Sequence, residues 1–453
     1  MTLWQELKEH MLNHPEATVC EGNATMTYEE LCIYAETLAP SLTASYYGIL
    51  CQSDLASVMG LLACIAAGKT AIPMPTRYGK ESYLKILKKA QPPALITDFL
   101  GELSVTKTNF DKEFESIEHP AVILFTSGST GEPKGVMLSE KNLMTNVRDV
   151  LAYLPITNED TFLISRPIYH ASVLTGELLI SLYSGANVVL HPDAFQPSAL
   201  LDIIKRKKIT VLGSTPTLLS SLARFIRSGY MHQVRTITVS GECMTDGMAK
   251  QIRAGFPETQ IFCGYGLTEA SPRVAFLPSD RFGDIPTAAG YQVPSIRFRV
   301  ADENDENVKD GEIGELLIQG DSIMIGYFEN PKQTTQVTRG GWLHTGDLAY
   351  FDYDAILHIV GRKDNMIIRA GMNIYPIEIE NIISKDPRTE AVLVYGFSKN
   401  GTQEIGMQIV GKFTCKDEVV HLCREVLPPY QIPSKIELVN CFHTTNSGKR
   451  VKR

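Results

Sequence analysis

The chain has nine cysteines, an odd and scattered set running from Cys20 to Cys441, and no CxxC pair among them. That spacing excludes a disulfide framework and the usual zinc sites. An excess of positive charge is also missing. The formal net charge is −8, and the only basic cluster is the terminal Lys449-Arg450-Val451-Lys452-Arg453, so there is no nucleic-acid footprint. Long apolar runs are missing too. The most apolar stretch, Leu55 to Ala67, is well short of the roughly twenty residues that span a bilayer, and it reads as a buried helix. The N-terminus, Met1-Thr2-Leu3-Trp4-Gln5-Glu6, lacks the basic-then-apolar layout of a secretory leader. No fixed-period repeat or low-complexity segment occurs. These absences set the expectation of a cytoplasmic protein with no nucleic-acid partner and no membrane span.

What is present is ordinary globular composition, 44% hydrophobic and 21% charged, over 453 residues, enough for at least two domains. Helix and strand patterns alternate through the first half. Ser53 is placed to cap a helix running to Gly68, followed by an apolar strand at Thr70 to Pro73. The cadence recurs at Leu178 to Ser184 with Asn187 to Leu190, at Leu200 to Lys207 with Ile209 to Leu212, and at Met248 to Ala254 with Gln260 to Cys263. Such alternation predicts a mostly parallel sheet covered on both faces. After about Ser271 short alternating segments, Ile296 to Val300 and Gly314 to Gln319, predict antiparallel β structure. From Asp364 onward helices at Pro376 to Ser384 and Glu418 to Glu425 mix with strands at Ala391 to Tyr395, Ile405 to Val410 and Lys435 to Leu438. The short polar connection Gly361 to Asp364 reads as a hinge.

The strongest local signal is an apolar strand from Ala121 to Phe125 running into Thr126-Ser127-Gly128-Ser129-Thr130-Gly131-Glu132-Pro133-Lys134-Gly135. Glycines let backbone approach a polyphosphate, N–H groups and hydroxyls donate to its oxygens, and Lys134 adds charge. A P-loop of the GxxxxGK[ST] type is excluded. Pro133 precedes the lysine, and the next helix, capped by Ser139, begins well after the loop.

This loop resembles the signature of the adenylate-forming superfamily of acyl- and aryl-CoA synthetases, peptide-synthetase adenylation domains and luciferases, with Ser129 in place of one threonine. The resemblance continues in family order through Gly264-Tyr265-Gly266-Leu267-Thr268-Glu269, Gly341-Trp342-Leu343-His344-Thr345-Gly346-Asp347, Gly361-Arg362-Lys363-Asp364 and Asn446-Ser447-Gly448-Lys449. It implies an α/β fold: a large multi-sheet N-terminal AMP-binding domain with a β-rich subdomain (1–361) and a small mobile α+β C-terminal domain (362–453).

It also implies roles. Thr126, Ser127, Gly128, Ser129, Thr130, Gly131 and Lys134 would hold the phosphates, and Tyr265 and Gly266 the adenine, with the Tyr265 ring expected to be exposed at the strand edge. Ser240-Gly241-Glu242 aligns with the segment that borders the adenine, although the first residue departs from the usual glycine. Thr268 would contact the α-phosphate and Glu269 would bind Mg²⁺, a hard cation that needs carboxylate oxygen. Asp347, expected in a turn, would accept the ribose hydroxyls, with Arg362 also on the nucleotide and Asp364 at the hinge. A lysine four residues from a C-terminus is ordinarily a solvated tail residue. By resemblance Lys449 instead bridges carboxylate and α-phosphate. Gly371 lies in the segment that lines the thiol tunnel in thioester-forming members.

His170, in Pro167-Ile168-Tyr169-His170-Ala171-Ser172, stands where amino-acid-activating relatives carry an ammonium-pairing aspartate, so a plain α-amino acid is not expected. The acid site is expected to be walled by Ala171 to Gly176, Gly213 to Pro216 and Ala270 to Arg273, read as small and apolar. The activity implied is ATP-dependent activation of a carboxylic acid to acyl-AMP and then thioester formation. Coenzyme A is the first choice of thiol and the phosphopantetheine of an acyl carrier protein the second. The rival classes are a luciferase-like oxidoreductase, a nucleotide-binding pseudoenzyme and a phosphotransferase.

Overall fold

The computed structural model describes the chain except residues 52–53, 77–79, 100–101, 111, 113–117, 128–131, 192, 227–230, 370–371, 400–401, 445–449 and 452–453. Its centre is a nine-stranded sheet. The six strands Gln260–Gly266, Thr236–Ser240, Val211–Ser214, Thr161–Ile164, Asn187–Leu190 and Thr18–Glu21 lie side by side and parallel. Antiparallel strands close both edges, Arg273–Leu277 with Tyr291–Gln292 on one and Ala24–Thr27 on the other. The parallel centre follows from strands such as Phe162, Leu163 and Ile164 that are buried throughout and so must be covered on both faces.

A second, seven-stranded sheet runs Gly326–Tyr327, Pro133–Leu138, Val122–Ser127, Thr70–Pro73, Tyr46–Leu50, Ala94–Phe99 and Glu102–Lys107. Helix Asp54–Ala66 lies between layers with Asp54 to Ile65 all buried, as its unbroken apolarity requires. Ser53, expected to cap it, lies outside the described residues. Among the described residues no helix is long and apolar enough to cross a membrane. The third sheet is antiparallel and pairs Ile296–Ala301, Gly314–Gly320 and Trp342–Phe351, with Leu357–Arg362 on the far side.

After the 3₁₀ turn Lys363–Asn365 the chain builds a separate small core from Ile367, Ile374, Ile379, Ile383, Val392, Val394, Ile405, Met407 and Ile409. Its sheet is the long hairpin Thr389–Lys399 with Thr402–Gly411, to which Lys435–Leu438 adds in parallel. Helices Pro376–Ile383 and Lys416–Val426 cover it. This unit touches helices Pro216–Ala223 and Asp246–Gly255. Arg224, just past the first, pairs with Glu390 at 2.6 Å, and Gln251 on the second donates to the Glu390 carbonyl at 3.2 Å.

Candidate active site

Four of the parallel strands deliver candidate residues at their carboxyl ends. His170 follows Thr161–Ile164, Gly213 is in Val211–Ser214, Gly241 follows Thr236–Ser240, and Tyr265 closes Gln260–Gly266. In open α/β sheets this edge forms a crevice, because the helices carry the chain away to both faces.

The tightest group joins two sheets. Tyr265 donates its hydroxyl to Asp347 Oδ2 at 2.5 Å. Arg362 Nη1 donates to Asp347 Oδ1 at 3.2 Å and to the Thr345 carbonyl at 3.0 Å. Burial raises the Asp347 carboxyl above its ordinary pKa in spite of Arg362 and the Tyr265 hydroxyl, which both lower it. Burial likewise pushes the Tyr265 hydroxyl well up, and the neighbouring Asp347 pushes it further. Burial opposes the Arg362 charge, yet Asp347 and Glu269 hold its pKa above the ordinary value.

One expectation is corrected here. Asp347 does not sit in a turn but inside the ten-residue strand Trp342–Phe351. Gly346 takes φ +71 where the ladder to Gly314–Gly320 slips register, and Thr345 Oγ1 bridges the irregularity by donating to the Leu316 carbonyl at 2.7 Å. A Thr-Gly-Asp run therefore makes a bulge rather than a reversal. Tyr265 is the penultimate residue of its strand, half-buried, with its hydroxyl tethered to Asp347.

A second group surrounds Glu269, on the 3₁₀ turn Thr268–Ala270. Its Oε1 accepts the Tyr327 hydroxyl at 2.8 Å, and its carbonyl accepts the Met324 N–H at 2.9 Å. Lys134 Nζ stands 5.8 Å from the centre of the Tyr327 ring. The hairpin Val122–Ser127 with Pro133–Leu138 places Thr126 opposite Lys134, so Lys134 is on a strand and not in the loop. Gly266 holds the turn close. A Cβ there would come within 1.7 Å of the Pro272 carbonyl oxygen, which accepts the Leu267 N–H at 3.0 Å. Gly128, Ser129, Thr130, Gly131, Gly371 and Lys449 lie outside the described residues, as does the Ser127 side chain.

The remaining candidates are held by local structure. Gly241 takes φ +101 after its strand, and Glu242 Oε1 accepts the Thr217 N–H at 2.7 Å near the start of helix Pro216–Ala223. His170 is the N-cap residue of helix Ala171–Val173, with its ring 4.4 Å from that of Tyr169. Asp364 is exposed on the turn Lys363–Asn365.

Tyr327 had no sequence signal, since its partner Glu269 is 58 positions away. The segments expected to wall the acid site carry charge as well as small residues. Glycines 176, 213 and 264 are present, but the space their missing side chains leave is occupied by Arg273 and Glu177.

Residues 7–328 match the model of the AMP-binding enzyme family. The chain belongs to that family. The feruloyl-CoA synthase of Amycolatopsis is 31% identical to this AMP-binding enzyme over 99% of the chain and 97% of that protein. The indoleacetate–CoA ligase of Aromatoleum aromaticum is 27% identical over 94% and 91%. Among solved structures, the o-succinylbenzoate CoA synthetase of Bacillus subtilis in complex with its acyl-adenylate intermediate superposes with TM-score 0.84. It is 25% identical, covering 99% of this chain and 97% of that one.

The residues present fit a magnesium ion. Among those described, no group of three or more His, Cys, Asp or Glu could form a protein cage. Mg²⁺ bound mainly through phosphates and water needs only one or two carboxylates. Glu269, half-exposed next to Thr268, could supply one.

Proposed function

We propose that this AMP-binding enzyme is an AMP-forming acid–CoA ligase in which the Tyr265–Asp347–Arg362 group holds the nucleoside of ATP. The observation that carries the reading is that group itself. Two donors from strands of two sheets, Tyr265 and Arg362, converge on the buried Asp347 carboxylate, which can exchange them for ribose hydroxyls. The Thr126 to Lys134 hairpin receives the β- and γ-phosphates. When bound at Glu269, Mg²⁺ neutralises phosphate charge. A carboxylate oxygen of the acid attacks the α-phosphorus, the bond to the bridging oxygen breaks, and pyrophosphate leaves. Lys449 screens the approach of the two anions, the kind of charge stabilisation on which phosphoryl-type transfers depend. The coenzyme A thiolate then attacks the acyl carbon and AMP departs.

The CoA ligases among the relatives support coenzyme A over a carrier-protein arm as acceptor. The division at 361/362 assigns the two half-reactions to two placements of the small domain, with Gly371 serving the second. ATP–pyrophosphate exchange across fatty, aryl and dicarboxylic acids tests the first step. Exchange should require an acid, and Asp347→Ala should raise the KM for ATP at least tenfold. Acid-independent release of ADP would contradict the reading.

A further inference from the structure

The side chains that lie against Gly176, Gly213 and Gly264 are charged. The Arg273 side chain lies between two glycines. Its Nη2 is 3.1 Å from the position a Cβ on Gly176 would take, and its Nε is 3.0 Å from that on Gly264. Glu177 lies against Gly213 in the same way, with Oε1 and Oε2 at 2.5 and 2.9 Å from the Cβ position. Arg166 Nη2 donates to Glu177 Oε1. All three side chains are out of solvent, with Glu177 0% and Arg166 and Arg273 each 3% exposed.

A buried ion pair contributes little net stability over an apolar core of the same shape, so stability does not account for this cluster. Its hydrogen bonding is also incomplete. Among the described residues Glu177 Oε2 accepts no hydrogen bond, Arg166 Nε donates none, and the Thr175 hydroxyl, also fully buried, makes none. Each is costly to leave so. Thr175, Gly176 and Glu177 share the π-helical turn Leu174–Leu179, an irregularity that re-aims side chains and is frequent at functional sites. Burial lowers the Arg273 pKa, with Arg166 lowering it further and Tyr153 and Glu177 opposing.

We propose that the Arg166–Glu177–Arg273 cluster is the far wall of the acid site and selects a carboxylic acid whose distal end carries a hydroxyl, alcohol or phenol. This rests on the ligase reading above. The chemistry follows from the unmet groups. A hydroxyl donates one hydrogen bond and accepts others, so it can satisfy the Glu177 oxygen and a guanidinium N–H together. An alkyl end leaves both unmet, and a second carboxylate meets the guanidinium but opposes Glu177. Sites built to hydrogen-bond a substrate hydroxyl reject the analogue lacking it far more strongly than apolar pockets reject a missing methylene.

The test uses non-reactive acyl-sulfamoyl adenosines whose acyl groups are 3-phenylpropanoyl, its 4-hydroxy derivative and its 4-carboxy derivative, with binding to the full chain measured by calorimetry. The 4-hydroxy compound should bind at least tenfold tighter than either other. Glu177→Gln, which removes the charged acceptor but keeps the size of the side chain, should shrink that preference to under threefold. The wild-type comparison needs no variant to fold. Equal binding of all three, or tightest binding of the unsubstituted or 4-carboxy compound, overturns the inference and leaves the ligase reading standing. Failure of all three to bind also overturns the inference, whereas only acid-independent release of ADP overturns the ligase reading.

Discussion

On the proposed reading a nucleotide takes the place of the donors on the Asp347 carboxylate, so removing its neighbours one at a time separates fold from function. Tyr265→Phe should leave folding intact and weaken ATP binding modestly, about threefold, because Arg362 still orients Asp347. Titration calorimetry with ATP checks this. A tenfold or larger loss would mean that the hydroxyl itself contacts the nucleotide. Lys449→Ala should abolish acyl-AMP formation while sparing thioester formation from supplied acyl-AMP, as separate pre-steady-state assays of the two steps will read. Equal loss in both would remove the division of labour. None of the common α-amino acids should support exchange. His170 offers no anion, and the Glu177 carboxylate already holds Arg166. An unpaired buried ammonium costs on the order of several kcal/mol. At this scale Tyr265, Asp347, Arg362 and Glu269 were legible because they sit in contiguous motifs. Tyr327, Arg166 and Glu177 were not, because their roles come from contacts made across the fold.

Among the elements, the Gln260–Gly266 strand and the turn after it depend on one missing side chain. Gly266→Ala must displace the Pro272 carbonyl, and should cost at least ~2 kcal/mol of stability, seen as a fall in Tm. An unchanged Tm would show that the turn has slack. His344, on the strand Trp342–Phe351, supplies a pH test. Burial, and then Arg339, lower its pKa from 6.5, although Glu315 and Asp305 oppose. The unfolded chain therefore binds the proton more readily than the folded one. The contribution to stability is present above pH 6.5 and is lost as pH falls through the lower folded value. Denaturant titrations from pH 8 to 5 should show that decline, and His344→Gln should flatten it. Most elements were readable from periodicity. Gly185 ends its helix at φ +76, and Ser139 makes a full capping box with Asn142. The Asp347 strand was misread because Gly and Asp favour turns, and only pairing with the Gly314–Gly320 strand turns that preference into a bulge.

On the scale of the whole molecule, the account needs the small domain to move between two half-reactions about the Lys363–Asn365 turn. Asp364→Pro fixes φ and restricts Lys363 before it. It should leave adenylation largely intact and slow thiol transfer by orders of magnitude, so that acyl-AMP accumulates and is detected by mass spectrometry after acid quench. Undiminished thioester turnover in a folded variant would end the hinge proposal. The central claim is the reaction itself, and product stoichiometry tests it most directly. With ATP, Mg²⁺, an accepted acid and coenzyme A, the purified chain should yield AMP, pyrophosphate and acyl-CoA in equal amounts. Formation of ADP, or of AMP without a matching thioester, would contradict it.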